Sequence, residues 1–434
     1  MTESTSTDEP VHNPYASPKS AYYALGLLTV VYSFNFIDRQ LLAILQESIK
    51  ADLGLSDGQL GLLTGFAFAV FYVTAGIPIA RWADHSNRRN IVALALTVWS
   101  GMTALSGFVQ NYAQLLAARV GVGVGEAGGS PPSHSIISDI FPPHRRASAL
   151  GFYSMGVSFG ILFGFLLGGW LNEFFGWRVA FMVVGIPGVL LAILVRFTMA
   201  EPIRGLVENK QVSSEPTSFR QVVAVLWASK AFRHIGMGAA LNAFVGYSTS
   251  NWTASFMIRS HGMTTGELGT WLALIIGFGG AVGVFCGGLL ADRLAPRDKR
   301  WYVWLPALAG LITLPFIASV YLVEGRYTAL MCMIVPAVMS NVYLGNAIAT
   351  THGLVGLRMR AMSSAVLFFI INIIGLGAGP WTVGMVSDYL STSQGAESLR
   401  YAMLYILPVV GFWSVCHFYW ASKTLREDLA AAPD

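Results

Sequence analysis

Tyr32-Ser-Phe-Asn-Phe-Ile-Asp-Arg-Gln40 places two adjacent charged residues, Asp38 and Arg39, inside an otherwise apolar segment that runs from residue 21 to residue 46. Asp38 lies about 26 Å along a helix that starts at Ala21. The hydrocarbon core of a bilayer is about 30 Å thick, and an ionisable side chain inside it costs about 2.5–3.5 kcal/mol. The pair therefore indicates a functional site within a membrane-spanning helix, rather than two charges at a membrane surface.

The composition predicts a membrane protein. Hydrophobic residues make up 54% of the 434 residues and charged residues only 12%, whereas about 25% of the residues of a soluble domain are charged. The 46 glycines suit the close helix packing that is common in lipid. The net charge of +4 does not predict a nucleic-acid partner, because the basic residues fall mainly in loops on one predicted side of the membrane.

Twelve apolar segments, called spans one to twelve below, are long enough to cross a bilayer as helices. Their even number places both chain ends on the same side. The predicted spans are residues 21–46, 58–81, 90–108, 112–140, 148–171, 177–197, 234–258, 267–291, 301–322, 327–353, 362–386 and 400–421.

The basic residues predict the orientation, because cytoplasmic loops carry an excess of Lys and Arg. Loops such as the one with Arg88 and Arg89 share their side with both chain ends, which we therefore expect to be cytoplasmic in a cell inner (plasma) membrane. The predicted domains are a disordered cytoplasmic tail (1–20), a six-helix bundle (21–197), a cytoplasmic linker (198–233), a second six-helix bundle (234–421) and a cytoplasmic tail (422–434). Within the linker, the segment from Ser218 to Ser229 has helical spacing and predicts an amphipathic helix on the membrane surface.

The two halves of the chain carry related patterns at matching places. Asp84 follows span two and Asp292 follows span eight, each close to arginines. Glycines spaced by four recur at residues 160 and 164 in span five and at residues 375 and 379 in span eleven. A repeat of this kind predicts an all-α fold with twelve transmembrane helices in two related six-helix bundles.

These patterns resemble the major facilitator superfamily over the whole chain. The family's loop motif, Gly-x-x-x-Asp-basic-x-Gly-basic-basic, is matched by Asp84, Arg88 and Arg89, while Ala80, His85 and Asn87 depart from it. Arg119 and Gly123 match the motif of span four. The glycines of the span-five antiporter motif are present, although Phe165 replaces its proline.

Within that superfamily, the chain resembles the Spinster family. The resemblance rests on Phe36-Ile-Asp-Arg39, on Gly125-Glu-Ala-Gly-Gly-Ser-Pro131 and on Glu201-Pro-x-Arg-Gly205. Spinster proteins transport lysolipids and phosphorylated sphingoid lipids, so the resemblance implies an amphipathic lipid-like substrate. Together with the buried charges, it predicts proton-coupled secondary active transport by alternating access.

Spans one and four carry the predicted proton-coupling residues: Asp38, Glu126, Arg119 and Arg39. A desolvated carboxylate gains proton affinity and a nearby guanidinium lowers it again, so helix movement can couple to protonation. The depths of the two helices predict that Asp38 pairs with Arg119, and that Glu126 comes within reach of Arg39 when the cavity closes.

We expect the substrate to lie in a central cavity with amphipathic walls, open sideways to lipid. Arg39 suits an anionic headgroup because guanidinium groups bind phosphate. The predicted substrate-binding residues are Arg39, Glu126, Phe34, Asn35, Tyr153, Trp252 and Asn346. The predicted gating residues are Asp84, Arg88 and Asp292, and the resemblance implies that Asp84 caps the start of span eleven near Ala361.

Four other functions stay open at this point. The first two are a facilitator for a small organic anion, such as a sugar phosphate, and an uncoupled lipid flippase. The third is a membrane enzyme that would use Ser133, His134 and Asp139, and the fourth is a channel. The glycines from Gly123 to Gly128 fit a dinucleotide fingerprint, but they lie inside a span with no preceding strand.

The sequence also predicts what the protein works with. We expect membrane lipids, an amphipathic small molecule and protons as partners, and neither nucleic acid nor a second copy of the chain. No cofactor, metal ion or catalytic residue is expected. Cys286, Cys332 and Cys416 all fall in apolar spans and are expected to pack as free thiols.

Overall fold

The protein is described by a computed structural model that covers residues 13–205 and 218–433. The predicted tail at residues 1–12, the linker at residues 206–217 and the last residue lie outside the described residues.

The described residues form the twelve predicted spans, several of which are made of consecutive helices. The first bundle consists of Pro18–Leu53 (span one), Asp57–Gly61 with Leu62–Phe66 and Ala67–His85 (two), Arg88–Ser106 (three), Tyr112–Glu126 with Ser130–Ile140 (four), Pro143–Phe175 (five) and Trp177–Thr198 (six). The second consists of Lys230–His261 (seven), Thr265–Leu272 with Ala273–Phe278 and Gly279–Leu294 (eight), Trp301–Leu322 (nine), Arg326–Met339 with Tyr343–Gly353 (ten), Arg360–Ile370 with Ile371–Ala378 and Gly379–Gln394 (eleven) and Ser398–Ala430 (twelve).

Not all of these spans are equally apolar. Eight helical stretches of the described chain have the length and hydropathy to cross a membrane, and one of them, Arg360–Ala430, contains both span eleven and span twelve. The three spans that fall outside this set are three, four and seven. Span four is more polar because it holds Arg119 and Glu126, and such residues are tolerated where they face the inside of a bundle.

The two bundles meet mainly through spans five and eight and through spans two and eleven, with span one against span seven. Both ends of the described chain lie on one face, which we call the tail face; the opposite one is the far face. The hydrogen bonds that join the bundles, among the described residues, lie in the far half of the molecule. The structure is therefore closed at the far face.

The observed helices extend beyond the predicted edges. Span one begins at Pro18 rather than residue 21, and Tyr15 before it is buried with its hydroxyl donating to the Ala200 carbonyl. The prediction of a disordered tail is therefore wrong for residues 13–20, because Tyr15 finds an apolar site against the end of span six. Span twelve likewise continues to Ala430.

The linker contains a helix from Phe219 to Ala228, close to the predicted position. Val222 and Leu226, four residues apart, are buried against the second bundle, while Phe219 and Trp227 are exposed. This distribution is the one that an amphipathic helix requires. Its position on a membrane surface, and the domain boundaries themselves, stay predictions.

Four glycines of span five, spaced by four residues, all face span one. Methyl groups built at Gly156 and Gly164 would lie 2.8 Å from the Thr29 carbonyl oxygen and from the Gln40 Cβ atom. Because these glycines lack side chains, the backbones of spans one and five approach closely. This contact fixes span one, and with it Asp38 and Arg39, within the first bundle.

Candidate functional site

The candidate site lies where the helix of span four is interrupted. Its first helix ends at Glu126, and a second helix starts at Ser130 with two prolines in its first turn. A methyl group at Gly125 would lie 2.7 Å from the Trp99 backbone nitrogen, so the glycine lets span four contact span three directly. The interruption and the close contact place Glu126 inside the bundle, with its side chain fully buried.

Arg39 and Glu126 form an ion pair between spans one and four. The Glu126 Oε2 atom accepts from Arg39 Nε at 2.8 Å and lies 2.7 Å from Arg39 Nη2. The side chain of Arg39 is 14% exposed, whereas that of Glu126 has no exposed surface. Arg39 is therefore the member of the pair that a molecule entering from outside the bundle would meet.

Asp38 and Arg119 form a second pair, which is sealed. Arg119 Nη1 donates to Asp38 Oδ1 at 3.4 Å, and both side chains are 2% exposed. The predicted contact of Asp38 with Arg119 is thus present, and Arg39 already contacts Glu126 in this state, although that contact was predicted for a closed cavity. Their role in proton coupling stays a prediction.

The two ion pairs share an aromatic neighbour, Phe68 of span two, which the sequence analysis missed. Its ring centre is 4.8 Å from the Arg39 guanidinium carbon and 5.7 Å from that of Arg119. Phe36 and Tyr72 also lie against Arg39, at 5.0 and 5.1 Å. Rings at these distances stabilise a partly desolvated cation. A signal was present, because Phe68 and Tyr72 are one helical turn apart on the same span.

Each of the two buried carboxylates keeps an oxygen atom that has no hydrogen-bond partner within the described residues: Asp38 Oδ2 and Glu126 Oε1. Leaving a buried acceptor unpaired is costly. An added proton would turn such an oxygen into a hydroxyl donor. The site thus holds two carboxylates whose protonation state can change without first breaking every existing contact.

The structure corrects several predicted substrate-binding residues. Trp252 is completely buried and donates to the Pro380 carbonyl, so its predicted place on a cavity wall is wrong. Tyr153 is also buried, and its ring stacks on Tyr32 at 4.5 Å. Phe34 packs against span six, 3.3 Å from a methyl group built at Gly188. Helical rotation decides which face a side chain takes, and the apolar pattern alone does not specify it.

The two predicted amides are no better exposed. Asn35 is 5% and Asn346 3% exposed, and Asn346 donates to the Val342 carbonyl of its own helix. Substrate contact by either residue stays a prediction that this conformation does not support. A cavity of about 80 Å³ in the second bundle is instead lined by uncharged residues that include Val245, Thr249, Ile317, Tyr321, Met333 and Asn341.

The predicted gating residues differ in their surroundings. Asp84 and Asp292 are exposed at the tail face. Arg88, by contrast, is buried and binds Glu201 at 2.8 Å, Asp139 and the Ser135 hydroxyl, all in its own bundle. A gating role for these three residues stays a prediction, but in this structure Arg88 holds the first bundle together.

The segment after span six completes that network, a role that the sequence analysis did not assign. Arg204 donates to the carbonyl oxygens of Ala83, Asp84 and Ser86, at the end of span two. The Gly205 amide donates to Asp139 at 3.1 Å. Because Asp139 is occupied by Arg88 and Gly205, it is not available as the partner of His134 that an enzyme would need.

The closure of the far face rests on residues that the sequence analysis also missed. Arg259 of span seven binds Glu47 of span one and Asp57 of span two, each through two hydrogen bonds of 2.7–2.9 Å. Lys50 and the Ser387 hydroxyl also bind Asp57, both at 2.6 Å. Four charged groups from both bundles therefore meet at one point.

Two helical bundles that are joined at one face, with ion pairs buried between their spans, define a membrane transporter. The Major Facilitator Superfamily model matches residues 28–380. The chain therefore belongs to the major facilitator superfamily and is a Spinster homologue within it.

Relatives and a solved structure support this assignment. A crystal structure of a bacterial homologue of the human lysosomal transporter Spinster, inward-facing and unoccupied, superposes with a TM-score of 0.83 at 33% identity and covers 95% of this chain and 99% of its own. An MFS-type efflux pump of Mycolicibacterium smegmatis is 33% identical over 421 residues, 96% of each chain. Protein spinster homolog 3 of Danio rerio is 25% identical over 448 residues, covering 96% of this chain and 88% of its own. The protein is thus a transporter and not an enzyme.

Proposed function

We propose that the protein is a proton-coupled secondary active transporter of an amphipathic, lipid-like molecule of the lysophospholipid or sphingoid type. The observation that carries this proposal is the environment of Arg39. Its guanidinium is the partly exposed cation of the site, and it lies among Phe36, Phe68 and Tyr72. A cation bordered by rings suits a substrate that has one anionic group next to an apolar body.

The Glu126 carboxylate would couple this site to protons. In the described state Glu126 occupies Arg39. Protonation of Glu126 removes its charge and weakens the ion pair, which frees Arg39 to bind an anionic headgroup. Asp38, the residue before Arg39 on span one, and its partner Arg119 on span four would respond to the same change of local charge.

The rest of the molecule supports this proposal. We infer that the tail face is cytoplasmic, in a cell inner membrane, and that a single chain carries out transport. Hydrogen bonds between the bundles that lie only in the far half of the described residues would then correspond to an inward-facing state. Alternating access would open the far face as the tail face closes.

Transport into proteoliposomes is the direct test. Purified protein is reconstituted, a pH gradient is imposed, and movement of a fluorescent lysophospholipid across the bilayer is followed by quenching with a reagent that does not cross it. We expect transport that rises with the gradient and stops when an ionophore collapses it. Equal transport with and without the gradient would instead identify an uncoupled flippase.

A small organic anion is the second candidate, because Arg39 would also bind a carboxylate or a sugar phosphate. The two substrates are distinguished by competition: unlabelled sugar acid or sugar phosphate in excess should leave lipid transport unchanged. Mass spectrometry of the lipids that co-purify with the protein would then give the identity of the bound species. Transport of the anion but not of the lipid would refute the lipid proposal.

A further inference from the structure

The far face is joined at two places by the same set of contacts, once between spans two and eleven and once between spans five and eight. At the first place, Asp388 near the end of span eleven accepts from the amides of Asp57 and Gly58, at 2.9 and 2.7 Å. At the second, Glu173 at the end of span five accepts from the Gly266 amide at 2.6 Å. In each case a carboxylate of one bundle binds the free amides in the first turn of a helix of the other bundle.

Glycine occupies the capped position in both helices. A methyl group at Gly58 would lie 2.8 Å from Asp388 Oδ2, and one at Gly266 would lie 2.7 Å from Glu173 Oε2. Any side chain at either position would displace the carboxylate. The sequence around them is also shared: Ser56-Asp-Gly-Gln-Leu-Gly61 corresponds to Thr264-Thr-Gly-Glu-Leu-Gly269.

A second glycine in each set lies four residues before the carboxylate. Gly384 precedes Asp388 and faces the Asp57 carbonyl, while Gly169 precedes Glu173 and faces the Thr265 carbonyl. At both places a methyl group would collide with the carbonyl oxygen, so the backbones touch. Each clasp, as we call one such set, therefore consists of a Gly-x-x-x-acid sequence against the first turn of the facing helix.

A third pair of equivalent contacts lies one helical turn further along each helix pair. Gly61 of span two faces the Pro380 carbonyl, and Gly269 of span eight faces the Phe165 carbonyl. Pro380 lies eight residues before Asp388, and Phe165 lies eight residues before Glu173. Three contacts thus recur at identical spacing between different helices, which a chance arrangement of loops would not produce.

We propose that Asp388 and Glu173, each with the glycine four residues before it, are positioning residues that hold the far face shut together with the Arg259 ion pairs. This inference rests on the proposed alternating-access function, since an outward-facing state requires the two bundles to separate at this face. Both clasps must break for that separation, because each joins one bundle to the other.

The inference is tested by measuring the distance between the bundles at the far face. The three cysteines are first replaced by serine, and spin labels are attached to cysteines at Gln110 and Ser393, which are exposed on opposite bundles. Double electron–electron resonance then gives the distribution of distances in detergent. The variants are Asp388→Ala, Glu173→Ala and the two combined.

We expect the unmodified protein to show mainly one short distance. Loss of a helix cap changes an equilibrium by about tenfold, so each variant should add a population at a longer distance. Asp388 is half-buried and Glu173 exposed, so Asp388→Ala should have the larger effect. The double variant should exceed both. If the alanine variant is unstable, the milder change Asp388→Asn replaces it and should give a smaller shift in the same direction.

Glu267→Ala is the matched control. Glu267 lies on the same face at the start of span eight, but it binds Tyr327 and Arg326 of its own bundle. Its removal should leave the distances unchanged. Identical distributions in all variants would overturn the clasp proposal. The distance measurement needs no substrate, so its result does not depend on whether a lipid is transported. If the transport assay fails, the distances still test the clasps.

Discussion

Glu126 Oε2 lies within 2.8 Å of both Nε and Nη2 of Arg39, while Glu126 Oε1 has no hydrogen-bond partner in the described part of the chain. One oxygen of this carboxylate therefore holds the cation, and the other is the place where a proton can be added. The neighbouring Asp38 has the same division, with Oδ1 on Arg119 and Oδ2 unpaired.

Glu126→Gln should abolish transport that is driven by a pH gradient while leaving lipid binding measurable. The amide cannot be ionised, so it neither holds Arg39 as an ion pair nor releases it on protonation. We expect gradient-driven uptake into proteoliposomes to fall at least about a hundredfold, the lower end of the usual effect of removing a proton-transfer group. Glu267→Gln serves as control and should transport normally. Normal gradient-driven transport by both Glu126→Gln and Asp38→Asn would contradict the coupling mechanism.

Asp38→Asn should destabilise the first bundle, because it leaves the buried Arg119 without its charged partner. Breaking a buried ion pair costs about 3–5 kcal/mol, and we expect a clear decrease in the melting temperature in detergent. Asp52→Asn removes a carboxylate from the same helix that pairs with Arg178 at the surface, where a pair contributes about 0–1 kcal/mol. The double variant Asp38→Asn with Arg119→Gln should recover part of the loss. Equal melting temperatures for the two single variants would show that the buried pair contributes nothing.

Asp84→Asn should shift the protein toward the state that is open at the tail face, without loss of substrate binding. The carboxylate is exposed in the present structure, and it would bind the first-turn amides of span eleven only after the tail face closes. The population is measured with spin labels across the tail face, one in each bundle. Asp292→Asn should act in the same direction but more weakly. A distance distribution that neither substitution alters would remove both residues from the gate.

Asp298 should hold the end of span twelve in place over a wide pH range, through its contact with Arg426. Hydrogen bonds from Arg300, with a further one from Arg426, lower the pKa of Asp298 from 3.8 to about 2. Since folding lowers this pKa, the contribution to stability is fully present above pH 3.8 and is lost as the pH falls through about 2. A spin label at the exposed Glu427 should therefore stay immobile from pH 7 to about pH 4.

Replacing Asp298 should make the end of span twelve more mobile even at neutral pH, whereas mild acid should not. Asp298→Asn is expected to make the same label more mobile at pH 7, because Arg426 loses its partner. Asp292→Asn, at an exposed carboxylate nearby in sequence, is the control and should leave the label immobile. A label equally mobile in both variants would argue against the contact as the fastening element.

The sequence predicted the twelve spans and the two buried ion pairs because these depend on quantities that a sequence contains. Apolar length fixes how many helices cross the membrane. Helical rise and rotation fix the depth and direction of Asp38, Arg119 and Glu126 along their own helices. A charge placed in hydrocarbon must find a partner, and few candidates were present in the first bundle.

The cavity wall and the far face could not be predicted in the same way. Apolar residues occur on every side of the helices that carry Trp252 and Phe34, so the sequence pattern does not show which face turns inward. Arg259 and Asp57 lie at the ends of spans, where the sequence is equally consistent with solvated loops. Their contacts depend on how one bundle is placed against the other, which is a property of tertiary packing.

The clasps of the far face also bear on how such a chain is constructed. An acid, preceded four residues earlier by glycine or alanine, ends the second, fifth, eighth and eleventh spans, at Asp84, Glu173, Asp292 and Asp388. These are the middle helices of four successive triplets, and neighbouring triplets run through the membrane in opposite directions. A chain assembled from four copies of one triplet would carry this kind of contact at both faces, with Asp84 and Asp292 in the gate proposed at the tail face. The gate proposed at the tail face and the clasps at the far face would then use one kind of contact, so a proton or a substrate has only to change which of the two sets is formed.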